Sequence, residues 1–76
     1  MELLDASVGS EIWIMMRGDR ELFGILKGFD DYINIVLENP KEYSTGICVM
    51  EIPGTILLNG SNIVGISPGS RSERID

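Results

Sequence analysis

FGILKGFDDYINIVL, residues 23–37, begins as one apolar strand and ends as another. Gly24 and Gly28 lie four positions apart in the first half, a spacing that predicts a strand bent sharply rather than a flat one. Asp30 and Asp31 interrupt the apolar run. Ile33, Ile35 and Leu37 then recur at a spacing of two, which places them on one face of a following strand and turns Asn34 to the other face. Tyr32 therefore sits in a turn beside an outward amide. An aromatic ring next to an amide can stack on a flat base and hydrogen-bond its edge. A surface tyrosine and a turn asparagine explain the same two residues more simply, and on composition alone that reading stands ahead.

Composition narrows the classes of function. The chain has 76 residues, 43% of them hydrophobic, which makes one domain with a real but modest core and makes oligomerisation an expected source of stability. No apolar run reaches membrane length, and the N-terminus lacks the charged flank and apolar stretch of a secretory signal, so an intracellular protein without membrane association is expected. Cys48 is the only cysteine, and its setting in Ile47-Cys48-Val49-Met50 reads as small core filler. Twelve acids against six bases give a net charge of −6 and a pI near 4.4. Arg17, Arg20, Lys27, Lys41, Arg71 and Arg74 form no basic block, so binding driven by phosphate neutralisation is excluded. RNA could be bound only through base contacts at a small site, or within an assembly whose other members carry positive charge. With no histidine and one cysteine, the common zinc sites and Ser-His or Cys-His nucleophiles cannot be built. Asp30 and Asp31 are neighbours in extended chain and point apart, so they make a poor carboxylate dyad. No catalytic residue, metal or cofactor is expected.

In chain order, Glu2 to Val8 predicts a short helix that must dock on something. Strands follow over Glu11–Arg17, Glu21–Phe29 and Ile33–Glu38, the last broken or bulged at Asn39-Pro40 with some extension toward Tyr43. Ser44-Thr45-Gly46 is a turn. Ile47–Leu58 is a fourth strand, at an edge or bulged where Pro53-Gly54 removes a donor. Ile56-Leu57-Leu58, Asn59-Gly60 and the apolar run to Ile66 have the form of a β-hairpin. From Pro68 the sequence is polar, and a domain over residues 1–69 with a disordered tail over 70–76 is expected. A mostly β fold follows: a short N-terminal helix and a five-stranded, strongly bent antiparallel sheet or open barrel. Its last strand, Asn62–Ile66, carries no lysine or proline to discourage pairing with another chain, so association edge to edge into a ring is expected.

The series Gly24, Leu26, Gly28, Asp30, Asn34 is similar to the first signature of the Sm and Sm-like (LSm) RNA-binding family. Ile56-Leu57-Leu58-Asn59-Gly60 followed by Ile63 is similar to its second, and the resemblance runs from about Leu3 to Gly69. Within the family, GFDD before an aromatic, then N-x-VLE and ILLNG, resembles the fifth-subunit branch of the eukaryotic Sm-like heptamer. The resemblance implies a five-stranded open barrel under a helix, and a hetero-heptameric ring joined through the fourth and fifth strands with other Sm-like subunits. An isolated chain could then form a homo-oligomer. It implies binding of the uridine-rich end of U6 snRNA in the nucleus, and a related cytoplasmic ring acting in mRNA decay. It also implies roles for particular residues: Tyr32 stacks on a base, Asn34 bonds the base edge, Asp30 supports the loop, Asn59 covers the base from the other side, and Gly60 allows backbone to approach it. Most members carry arginine where this chain has Asn59, and an amide stacks less well and carries no charge. For Asn59-Gly60 a hairpin turn remains a sufficient explanation. A ring-completing structural subunit with little RNA contact of its own is the alternative reading.

Overall fold

The computed structural model describes residues 2–69. Helix α1 (Glu2–Ser7) is six residues long, too short to persist alone. Glu2 and Asp5 in its first turn suit the positive end of the helix dipole. Fully buried Leu4 anchors it, contributing about 1.5–3 kcal/mol by its burial. The backbone then passes through Gly9 at φ 87, where only glycine is unstrained. The Gly9 N–H donates to the Leu26 carbonyl at 2.8 Å, and the Leu26 N–H donates to the Ser10 carbonyl at 2.9 Å.

Six strands follow: β1 (Glu11–Met16), β2 (Arg20–Phe29), β3 (Ile35–Ser44), β4 (Ile47–Glu51), β5 (Thr55–Leu58) and β6 (Ile63–Pro68). All pairings are antiparallel, in the order β4-β3-β2-β1-β6, with β5 also paired to β3. Alternation along β1 sends Ile12, Ile14 and Met16 into a core shared with Leu4, Leu22, Leu26, Ile35, Leu37 and Leu58. Trp13, on the opposite face, is buried as well. It packs against Phe23 and Tyr43 at ring-centroid distances of 4.8 and 5.1 Å, so three aromatics that look scattered in sequence form one covered cluster.

Strand β2 bends where its register against β3 shifts, between Phe23 and Ile25 and again between Leu26 and Gly28. At Gly24 a Cβ would lie 3.1 Å from both the Glu38 carbonyl oxygen and Pro40 Cα, so a larger residue would press on the backbone of the neighbouring β3. β3 carries the matching irregularity. Asn39 takes φ 49 without ending the strand, and of the break or bulge expected at Asn39-Pro40 the bulge is what forms. Pro40 and Pro53 both lack a donor, and the ladder between them is carried by their neighbours: Asn39 Oδ1 accepts from the Gly54 N–H at 2.9 Å. The Asn39 N–H donates to the Gly54 carbonyl at 2.7 Å, and the Ile52 N–H donates to the Pro40 carbonyl at 2.9 Å. These three bonds tie the bulge of β3 to the Pro53-Gly54 segment.

Four expectations change. The fourth strand is two, β4 and β5, because Pro53 and Gly54 interrupt the ladder, and the strand count is six rather than five. β5 and β6 do not form a hairpin: β5 pairs with β3 and β6 with β1. Asn59, at φ −78 and ψ 126, lacks the left-handed backbone that a tight Asn-Gly turn requires, and a 3-10 turn, Gly60–Asn62, carries the chain across instead. Ile33 lies in the turn before β3, which starts at Ile35. Cys48 is exposed, not core filler, because all five residues of β4 are exposed. The proposed tail, residues 70–76, lies outside the described residues, whereas Pro68 still pairs with Ile12. Truncating Trp13 to alanine empties the centre of the aromatic cluster, and urea unfolding should show a loss of about 3–5 kcal/mol.

Candidate nucleic-acid interface

Two loops meet at one end of the sheet. The first, between β2 and β3, runs from Asp30 to Asn34 and is organised by one carboxylate. Asp30 Oδ1 accepts from the backbone N–H groups of Tyr32 and Asn34 at 2.9 and 3.0 Å. Asp30 Oδ2 accepts from Asn34 Nδ2 at 2.9 Å. The Ile33 N–H donates to the Asp30 carbonyl at 3.1 Å, and the Asp30 N–H donates to the Asn34 carbonyl at 3.2 Å. This Asx-type turn holds Ile33 at φ 62, a conformation that costs a β-branched residue of order 1–3 kcal/mol. The tightness of the turn projects Tyr32 outward, where 82% of it is exposed.

The second loop, Asn59 and the 3-10 turn after it, is fastened to the first through Asn34. Its Oδ1 accepts from the Gly60 N–H at 2.8 Å, so the one amide donates to Asp30 and accepts from Gly60. Gly60 lies so close that a Cβ there would overlap the Tyr32 carbonyl oxygen and sit 2.8 Å from that of Ile33. The tight approach made by Gly60 is thus to the neighbouring loop. Asn59 Oδ1 accepts from the Ser61 N–H at 3.0 Å and from Ser61 Oγ at 2.9 Å, which turns this side chain onto its own loop as a cap. Tyr32, Asn34, Asp30 and Gly60 are brought together by direct bonds or backbone contact, and Asn59 adjoins them through the chain.

Three participants escape the sequence reading. Ser61 holds Asn59, and the Asn-x-Ser spacing was a usable signal for it. Ile33 carries the strained backbone, which no residue type announces. Arg17 reaches the second loop from β1's end, its N–H donating to the Asn62 carbonyl at 2.9 Å and its Nε to the Ser61 carbonyl at 3.0 Å. Nothing local in the sequence joins positions 17 and 61.

The arrangement offers an exposed ring, an amide N–H of Asn34 beyond the one given to Asp30, and a fixed backbone beneath them. Among the described residues no group of three or more His, Cys, Asp or Glu is placed to hold a metal ion. The Asn34 side-chain amide, then its backbone N–H, hold the Asp30 carboxyl below the ordinary carboxylate range against an opposing effect of burial, with a lesser contribution from the Tyr32 N–H. A depressed folded value means that the loop's carboxylate contribution is fully present above the unfolded pKa of about 3.9 and is lost as pH falls through the folded value. A carboxyl NMR titration should therefore place the Asp30 midpoint below about 3.9, with protection of the Tyr32 and Asn34 amides lost over the same interval. Gly60→Ala should destabilise the protein by about 1–3 kcal/mol in urea unfolding, with amide shift changes centred on Tyr32 and Ile33.

Residues 2–68 match the sequence profile of the family described as LSM domain. The Arabidopsis thaliana Sm-like protein LSM5 is 51% identical over 75 residues, covering 95% of this chain and 84% of the relative. The Schizosaccharomyces pombe LSM complex subunit lsm5 is 44% identical, covering 96% and 91%. Among solved structures, the Pyrococcus abyssii Sm protein in complex with a uridine heptamer superposes with a TM-score of 0.85 at 26% identity, covering 90% of this chain and 94% of that one. A heptameric archaeal Sm protein gives a TM-score of 0.83 at 31% identity, covering 92% and 100%.

Proposed function

The chain belongs to the LSM-domain family, and from that premise we propose that it is an RNA-binding subunit of an Sm-like ring, acting on the uridine-rich 3′ end of U6 snRNA in the nucleus. A related cytoplasmic ring containing it would take part in mRNA decay. The observation that carries the reading is the exposed Tyr32 ring on a loop whose backbone is fixed by Asp30 and braced by Gly60. A base stacks on the ring, and the free N–H of Asn34 donates to a carbonyl on the base edge. Because Asn34 Oδ1 is engaged by Gly60, base recognition rests on donation and not on a paired donor and acceptor. The U6 snRNA-associated name of a Dictyostelium discoideum relative and the uridine heptamer bound to the archaeal protein support this choice of RNA.

Assembly follows from the edges. Among the described residues, strands β4 and β5 pair only with β3, and β6 pairs only with β1. Ile47, Val49, Met50, Leu57 and Val64 lie exposed along these edge strands, an arrangement that favours covering by neighbouring subunits. The partners are other Sm-like subunits, as the LSM complex names of the fission and budding yeast relatives indicate for those proteins. Val64→Pro, which removes a backbone donor from β6, should reduce the oligomeric mass seen by sedimentation while circular dichroism stays unchanged.

RNA binding is tested in the assembled ring. Tyr32→Ala should weaken uridine-rich RNA by about 1–3 kcal/mol per stacked base with little dependence on base identity, and should abolish crosslinking at this subunit. Rings of normal mass that bind and crosslink like the wild type would instead mark the chain as a ring-completing subunit.

A further inference from the structure

Asn59-Gly60 is the one Asn-Gly pair in the sequence. With no Cβ, the Gly60 nitrogen is an unhindered nucleophile toward the side-chain carbonyl of the residue before it. We propose that Asn59 is a site of spontaneous deamidation that the Asn34–Gly60 hydrogen bond holds closed. In the reaction the Gly60 N–H gives its proton to water, the nitrogen attacks Asn59 Cγ, and a new N–Cγ bond forms as Cγ–Nδ2 breaks and ammonia leaves with that proton. Water then adds to either carbonyl of the five-membered imide, giving aspartate or isoaspartate at position 59. One water is consumed for each ammonia released, and nothing is oxidised or reduced.

The site is primed at one atom and blocked at another. Asn59 Oδ1, where negative charge develops during attack, already accepts from the Ser61 N–H at 3.0 Å and Ser61 Oγ at 2.9 Å, a pair of donors suited to stabilising it. The nucleophile is restrained. Its N–H is committed to Asn34 Oδ1 at 2.8 Å, and at ψ 126 for Asn59 the Gly60 nitrogen is turned away from Cβ, whereas ring closure needs the two on one side. Bringing them together rotates Gly60 off the Tyr32 and Ile33 carbonyls against which it is packed. Deamidation therefore requires the two loops to part, and its rate reports that local opening. The product carboxylate would stand beside the Tyr32 loop and repel phosphate, a consequence that rests on the RNA-binding reading, whereas the chemistry does not.

Full-length protein is incubated at mildly alkaline pH, folded and in urea, and peptide mapping by mass spectrometry follows each asparagine. The other three are internal controls: Asn39 precedes Pro40, whose nitrogen carries no proton, and Asn34 and Asn62 precede β-branched isoleucines. Position 59 should convert about tenfold or more faster in the unfolded chain than in the folded one, with Asn62 slow in both. Asn34→Ala, folded by circular dichroism, should bring the native rate toward the unfolded one. Equal rates in folded and unfolded wild type, no preference for Asn59 over Asn62 in urea, or a folded Asn34→Ala protein that ages no faster would each overturn the proposal. If Asn34→Ala does not fold, wild type in sub-denaturing urea decides: a rate rising in parallel with Gly60 amide exchange supports the closed site, and a rate that ignores it refutes it. RNA binding by fresh wild-type protein is measured separately, so failure of the RNA reading and failure of this one remain distinct.

Discussion

The side-chain amide of Asn34 joins two parts of the chain 26 residues apart, and the geometry of the whole end of the molecule follows from it. Its donor side completes the turn that Asp30 organises, and its acceptor side fixes the start of the 3-10 turn leading to β6. Because that turn must cross from the β3 side of the sheet to the β1 side, the same bond fixes where the barrel is drawn together. Gly60 is the steric counterpart: the amide pulls the loops into contact, and only a residue without a side chain lets the contact form. The amide therefore serves both folding and the presentation of Tyr32.

If an acidic chain is to bind RNA as proposed, its carboxylates must be kept from opposing phosphate. Asp30, the acid nearest the exposed ring in sequence apart from Asp31, does this by turning inward onto N–H groups of its own loop, where its charge is taken up by local dipoles. Arg20 is paired with Glu42 at 3.0 Å, a surface interaction worth little on its own. Arg17 by contrast donates its Nε to the Ser61 carbonyl of the second loop.

Much of this was legible in the residues. Period-two alternation around Ile35 and Leu37 and the spacing of Gly24 and Gly28 were enough to read a bent sheet, because both signals depend on local backbone geometry. Asn59-Gly60 misled for the same reason. The pair favours a hairpin locally, but Leu58 has its partner in Ile35 and Ile66 has its partner in Ile14, and pairing with distant strands outweighed the turn. Cys48 misled differently: an apolar strand looks alike whether its cover comes from its own chain or from elsewhere. The residues of the two loops could be picked out, but not the bond from Asn34 to Gly60, since no sequence spacing encodes which backbone group a distant amide will meet.

Among the described residues the two edges of the sheet are unlike one another: one is made by β4 and β5, the other by β6 on the far side of β1. A contact between unlike edges cannot be repeated by a two-fold rotation, so a pair of subunits joined that way still offers an unused β6 at one end and an unused β4 at the other. Such a pair has polarity and invites a third member. In the proposed ring, growth would stop only when the arc curves back on its own beginning, and every Tyr32 loop in the closed circle would face the same side.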